Sequence, residues 1–363
     1  MLPAEAMNSP LMPLPPRSAS QTLLLTLLIG FISAILCQWI NTPLPWMIGP
    51  LFSTAAARMA GAELRCPVQV REAGQWAIGT ALGLYFTPPV LRVLVSYSGF
   101  ILAGVLFALL LGLVCGWILH KISGTDRTTA FFAMAVGGAS EMATQGERHG
   151  AMVDRVAAAH SLRIMMVVGI IPFLFKFSGV QGEDVYVPGA RVVHYGGLML
   201  LVLLTAACAL LLKRRKLPNA WVIGPLLVTI ALTSSSLNLS ALPEWVVHFG
   251  QLFIGISLGT RFTREFLHTA PRYLASVAIC GLLAMAIAAS FAFGLAAVSG
   301  MHPATAVLAT SPGGIAEMSL TAKTLQLGVP IVTAFHVTRM AALVMMIGPL
   351  FRFAQRWAGR TRA

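Results

Sequence analysis

The sequence predicts an all-α polytopic membrane protein made of two inverted-topology repeats, each with about five spanning helices plus one broken or re-entrant helix. Three observations predict it. The composition is too apolar for water, the chain matches itself at a spacing near 176 residues, and the loop charges swap sides between the two halves.

Charged residues make up 10% of the 363-residue chain, against roughly 25% in an ordinary soluble domain. The A/V/I/L/M/F/W/Y/C set makes up 57%. So few charges cannot cover a water-soluble particle of this size. A soluble enzyme, a disordered chain and a secreted disulfide scaffold are therefore excluded. The 25 Lys and Arg against 12 Asp and Glu leave a net charge of +13. These basic residues are scattered among apolar runs and form no reading face, so they anchor loops at a membrane and bind no nucleic acid directly. The cysteines form no CxxC pair and no metal spacing. No nucleophile–base pair stands out either, so catalytic residues, metal and cofactor are all expected to be none. The partners expected are the lipid bilayer and a small-molecule or ion substrate, with the oligomeric state left open.

A helix needs about 20 apolar residues to cross the ~30 Å hydrocarbon layer. Charge-free runs of that order occur at 18–57, 93–119, 192–212, 217–243 and 273–301, the first and fourth interrupted by Pro and Gly. Segments 73–91, 151–177 and 329–351 are also strongly apolar, and 128–144 and 304–321 are shorter and rich in small residues. The run at 22–40 is too long for a signal-peptide core and reads as a retained helix. The expected organisation is a disordered cytoplasmic tail at 1–19, repeat 1 at 20–177, an external link at 178–190, repeat 2 at 191–353 and a basic cytoplasmic tail at 354–363. Arg352, Arg356, Arg360 and Arg362 suit anionic lipid at a membrane edge.

The duplication is visible in motifs that keep their register. Trp46-Met47-Ile48-Gly49-Pro50-Leu51 recurs as Trp221-Val222-Ile223-Gly224-Pro225-Leu226, and Gly74-Gln75 with Gly79 and Gly83 recurs as Gly250-Gln251 with Gly255 and Gly259. Gly137-Gly138-Ala139-Ser140-Glu141-Met142 recurs as Gly313-Gly314-Ile315-Ala316-Glu317-Met318, and His160-Ser161-Leu162-Arg163 as His336-Val337-Thr338-Arg339. The loops of the two copies differ in charge. Residues 37–45 carry no Lys or Arg, whereas the counterpart carries Lys213, Arg214, Arg215 and Lys216. Arg58, Arg65 and Arg71 face no basic residue in 233–247, and Lys121 and Arg127 face none in 296–303. Between them, Arg92 stands against Arg261, Arg264 and Arg272, while Lys176 and Arg191 flank the external link and weigh the other way. Basic loops stay cytoplasmic, so the halves are expected to insert upside down to each other, with both termini cytoplasmic.

Inverted halves with interrupted helices at mid-depth are the plan of many secondary transporters. Backbone groups freed by a break are tolerated at that depth only beside protein or a water-filled cavity. Ser311-Pro312-Gly313-Gly314 is the stronger break, since Pro312 removes a donor and the glycines add freedom; Gly137-Gly138 is its partner. Glu141 and Glu317, at the same distance after each pair, are the candidates for binding a proton or cation, because a carboxylate at bilayer depth demands a partner or water. His160 with Arg163, and His336 with Arg339, lie one helical turn apart on the last apolar helix of each half. The matched charges predict Glu141–Arg163 and Glu317–Arg339 pairs, or the crossed pairs, either locking helices or opened by an anion or a proton. Gly49-Pro50 and Gly224-Pro225 are expected to kink a helix or to serve as packing sites, and Gln75 and Gln251 to line a cavity or join two helices.

The paired motifs LPWMIGPL and LPNAWVIGPLL, GQWAIGTALG and GQLFIGISLG, and VGGASEM and SPGGIAEM resemble the AbrB-type duplicated membrane proteins of bacteria, over residues 20 to 353. Members of that family carry the labels regulator of gene expression and ammonia monooxygenase. The resemblance implies similarity to the wider group of cation/proton antiporters and anion transporters with crossed, interrupted helices. No DNA-binding helix pair or copper site supports either label in the residues themselves. The expected function is a secondary transporter of a small organic anion or ion coupled to protons or a cation, with regulation of gene expression as the alternative and an enzyme role not expected. Single cysteines placed in 178–190 and in 213–216 are expected to react with an impermeant thiol reagent from opposite sides of the membrane. Labelling of both from one side removes the inverted arrangement.

Overall fold

In a computed structural model, residues 18–182, 186–265 and 270–360 are described; the expected tail at 1–17, part of the 178–190 link and the last three arginine-tail residues lie outside them. The described residues form fifteen α-helices and no strand. In the first half these are α1 (Ala19–Trp39), α2 (Pro45–Met59), α3 (Val68–Gly83), α4 (Pro88–Ser96), α5 (Ser98–Ser123), α6 (Arg127–Met134), α7 (Ala139–Arg148) and α8 (Val153–Phe177). The second half contributes α9 (Tyr195–Arg214), α10 (Ala220–Ser234), α11 (Glu244–Gly259), α12 (Pro271–Ser299), α13 (Pro303–Thr310), α14 (Ile315–Thr324) and α15 (Val329–Arg360).

The helix ends follow local chemistry. Ser18 accepts from the Gln21 N–H while the Gln21 side chain accepts from the Ser18 N–H, a reciprocal box that starts α1. Asp126 accepts from the Thr129 N–H at 2.8 Å to start α6. Gly124 and Gly300, at φ +67° and +71°, end α5 and α12 in the left-handed conformation that glycine adopts without penalty. The apolar segment expected over 73–91 is not one rod. It breaks after Gly83 and turns by 88° into α4, because Pro88 and Pro89 bias the preceding residue away from the helical region. The expected basic tail is also partly helical, since nothing in Ala354–Arg360 breaks a helix and α15 runs on to Arg360.

Six helices are long and apolar enough to cross a membrane: α1, α5, α8, α9, α12 and α15 as far as Ala354, with the bent α3–α4 pair as a seventh. The chain is thus a multi-pass membrane protein. Helices α2, α3, α10 and α11 have 15 or 16 residues, about 24 Å at most, so the expected five spans per half divide into three long helices and two short ones. The short ones pack on one another, α2 on α11 and α3 on α10, and their ends need not reach the headgroups.

That central packing depends on glycines a turn apart. Gly79 and Gly83 of α3 sit against the carbonyls of Val222 and Leu226 on α10. Gly255 and Gly259 of α11 sit against those of Met47 and Leu51 on α2. The same contact is made twice with the halves exchanged, and Gly74 meets Gly250 at the crossing. Such small-residue stripes let membrane helices approach backbone to backbone, where dispersion replaces the missing hydrophobic drive. Gly49 and Gly224 do the same one layer out, against Ser33 of α1 and Ala209 of α9, with Pro50 and Pro225 inside the helices beside them. A Gly79→Ala or Gly255→Ala substitution is expected to cost about 1–3 kcal/mol by forcing the backbones apart, read as a lower unfolding midpoint of the purified protein. The same change at Gly99, which has open space around it, should leave the midpoint unmoved.

Candidate functional site

Each diglycine segment interrupts a helix. α6 stops at Met134 and α7 starts at Ala139; α13 stops at Thr310 and α14 starts at Ile315. Ala135 and Ser311 are extended, with ψ of 132° and 148°. The last turns of α6 and α13 are therefore left with carbonyls that no backbone N–H reaches.

The His and Arg of the following long helix take those carbonyls. In the first half the His160 Nε2–H donates to Phe132 O at 2.9 Å, Arg163 Nη1 to Ala135 O at 2.8 Å and Arg163 Nη2 to Gly137 O at 3.2 Å. In the second half the His336 Nε2–H donates to Leu308 O at 2.9 Å, Arg339 Nη1 to Ser311 O at 2.7 Å and Arg339 Nη2 to Gly313 O. All four side chains are buried. A guanidinium at the carbonyl end of a helix also meets the negative pole of its dipole. The expected Glu–Arg pairs are not formed, either within a half or crossed. The ion pair found among the described residues is Lys213–Glu72, at 2.7 Å. The physical reason is geometric: two freed carbonyls per break fit the guanidinium fork, and leaving them bare in a dry interior costs more than leaving the carboxylate to its own helix.

Glu141 and Glu317 occupy the first turns of α7 and α14, where no side chain caps the helix from outside. Each carboxylate folds back over the N-terminus of its own helix and lies against its own amide. A Cβ at Gly138 or Gly314 would collide with it. The preceding glycines, Gly137 and Gly313, make room for the side chains of Met142 and Met318. The Gly-Gly-x-x-Glu-Met spacing is thus one local structure used twice: a bare helix start, a carboxylate on its positive pole and a thioether beneath the break.

Both breaks face one cavity of about 360 Å³. Gly137, Gly138, Glu141 and Arg163 line it from the first half, and Gly313, Gly314, Glu317, His336 and Arg339 from the second. His160, Ser311 and Pro312 stand behind its wall, and Gly49, Pro50, Gly224 and Pro225 belong to the packing layers described above. The wall also holds residues that the motifs do not single out. Arg71 lies on α3 and Arg261 just after α11; Lys213 is in the last turn of α9, Asn219 in the α9–α10 connection and Trp221 in the first turn of α10. Gln75 donates to Asn219 Oδ1 at 3.5 Å near the mouth, while Gln251 is buried elsewhere. Arg71 and Arg261 read in the sequence as ordinary members of basic loops. Their signal is that the residues at the same shift in the other half, Val247 and Tyr85, are uncharged.

The fold and site define a class: a polytopic α-helical membrane protein with two interrupted helices converging on a charged cavity. The family described as "Transition state regulatory protein AbrB" matches residues 46–355, and the chain belongs to that family. It is 26% identical over 343 residues to the "Putative regulator AbrB" of Escherichia coli (strain K12), covering 93% of this chain and 96% of that protein. It is 24% identical over 307 residues to the "Uncharacterized protein YhjN" of Bacillus subtilis (strain 168), covering 80% and 79%.

Replacing Arg339 by Met is expected to orphan the Ser311 and Gly313 carbonyls, at about 1–3 kcal/mol for each buried group, and Arg163→Met to do the same at Ala135 and Gly137. The check is the unfolding midpoint of the purified variants. An Arg339→Lys variant should fall between, because an ammonium reaches one carbonyl where the fork reaches two.

Proposed function

We propose that the chain is a secondary transporter of a bacterial inner membrane, carrying a small organic anion in exchange or symport with protons or a cation. The observation that supports it is the meeting of two interrupted helices at one charged cavity, with a carboxylate on the positive pole of each restarted half. Arg163 and Arg339 act as fixed staples in this scheme. Glu141 and Glu317 are the groups that take up and release a proton in this scheme, since each is hydrogen-bonded only at its own helix end, with Arg261 and, for Glu141, Arg71 within electrostatic reach. Protonation would uncover two helix N-termini to an anion, and deprotonation would compete with it, which couples the two ions.

The two ends of the packed core differ as a carrier caught on one side requires. The cavity reaches Lys213 and Asn219 of the basic α9–α10 connection, which the loop-charge rule puts on the cytoplasmic side. At the corresponding position of the other half stands Leu44, buried in the apolar core. Both residues start a short helix with left-handed backbone, at φ +49° and +48°. Rocking the halves would exchange which of these ends is packed and which is open, the usual cycle of inverted-repeat carriers. Both termini are then cytoplasmic.

A second reading comes from the regulator wording of the Escherichia coli relative: a membrane sensor that alters gene expression through a partner or a metabolite level. It predicts that transcript changes persist when the cavity is blocked in a folded protein. The transporter reading is tested in proteoliposomes under an imposed pH gradient. A Glu141→Gln, Glu317→Gln double variant is expected to lose proton-driven accumulation while still passing substrate down its own gradient. Undiminished proton-driven accumulation would take both glutamates out of the coupling.

A further inference from the structure

We infer that the cavity binds a small dicarboxylate, with one carboxylate on Arg71 and the other on Arg261. This rests on the carrier reading above and adds the charge and shape of what is carried.

Among the described residues, the charged groups of the cavity wall are held by hydrogen bonds, an ion pair or a helix pole, with two exceptions. Lys213 is held by both oxygens of Glu72, at 2.7 and 2.8 Å. Arg163 and Arg339 are committed to the carbonyls of the two breaks. Glu141 and Glu317 lie on the positive poles of α7 and α14, within electrostatic reach of Arg261 and, for Glu141, of Arg71 as well. Arg71 and Arg261 remain: among the described residues no carboxylate or carbonyl is bonded to either guanidinium, and Arg71 Nε is buried without a partner. The two stand near enough to repel each other electrostatically. A partly buried pair of like charges is costly until something of opposite charge joins it. The wall as a whole sets Arg71, Arg163, Lys213, Arg261 and Arg339 against Glu72, Glu141 and Glu317, and that excess of two positive charges calls for two negative ones.

The pair does not belong to the scaffold that the halves share, because its counterparts by register are Val247 and Tyr85. Guanidinium forks select planar carboxylates over spherical anions. Beyond the arginines the wall offers Val136, Ile254, Leu258 and Met340, surfaces suited to a short methylene chain. Its residues also carry buried side-chain atoms without partners: Arg163 Nε, Trp221 Nε1, His336 Nδ1 and Arg339 Nε. At about 360 Å³ the space is at the small end of ligand clefts, which suits a diacid of about four to six carbons.

The test is equilibrium binding to the purified full-length protein by calorimetry, with succinate, glutarate, butyrate and sulfate as probes. Succinate or glutarate should bind at least about tenfold more tightly than butyrate, and sulfate should bind more weakly than either diacid. Arg71→Gln and Arg261→Gln should each bring the diacid affinity down to that of butyrate. Equal affinity for succinate, glutarate and butyrate, or diacid binding untouched by both Gln variants, overturns the dicarboxylate assignment and leaves the anion carrier standing. Sulfate binding in the absence of diacid binding also overturns it, in favour of an inorganic oxyanion. Proton-coupled uptake of a cation by a protein that binds no anion removes both readings together. Should the Gln variants fail to fold, Arg71→Lys and Arg261→Lys decide the matter. Each keeps the charge but loses the fork, so severalfold weaker diacid binding supports the assignment and unchanged binding overturns it.

Discussion

A helix cannot stop at bilayer depth without leaving carbonyls that water would otherwise satisfy, and the rest of this structure depends on how that is met. Four consecutive residues at each break lie outside the helical ladder, and one Arg and one His, a single turn apart on the next long helix, supply the donors. The hydrogen bonds of one half reappear in the other at the same sequence separations: 28 residues for His to carbonyl, 28 and 26 for the two arms of Arg. With the carbonyl ends held in this way, the amide ends of the restarted helices are covered only by the Glu141 and Glu317 carboxylates, which line the cavity. The cavity is the other face of the same constraint.

In the proposed carrier, structural charge and functional charge are separate. Arginine suits the structural role because its fork spans two carbonyls and it stays protonated in almost any surroundings. Glutamate suits the exchangeable role because its charge is set by proton supply and its present partner is a helix pole that an anion can also occupy. The one departure between the halves inside this frame is at the histidines: His160 Nδ1 accepts from Arg163 Nη2 at 3.0 Å, whereas His336 Nδ1 has no partner and faces the cavity. Of the two histidines, only His336 belongs to the cavity wall. The same bias is seen in Asn219 lining the mouth where Leu44 fills the core.

Much of the fold is legible residue by residue. The helix breaks follow from Pro312 and the diglycines, and the glycines that GQWAIGTALG and GQLFIGISLG repeat are those found at the close crossings of α3 with α10 and α2 with α11. The stop after Gly83, however, falls inside 73–91, which reads as a single apolar segment. Less of the site is legible. Glu141 and Glu317 are conspicuous as acids in apolar surroundings, and both line the cavity. Arg163 and Arg339 are equally conspicuous, but matching them to the glutamates by charge alone misses that a bare carbonyl pair is the more demanding neighbour. Arg71 and Arg261 go unnoticed because a basic residue near a helix end reads as a membrane anchor, and nothing local distinguishes one that turns inward.

The amino-acid sequence by itself determined that this chain lives in a bilayer, that it is helical and where its helices are interrupted. Those properties follow from hydropathy, from the missing donor of proline and from the missing side chain of glycine, all of which act within a few residues. Only the tertiary structure decided which groups the buried arginines hold and which cations are left over to line the cavity. Hydrogen bonds across 26 or more residues, and the convergence of α3 with the end of α11, depend on how the halves dock, and docking is a property of surfaces that no short window of sequence contains.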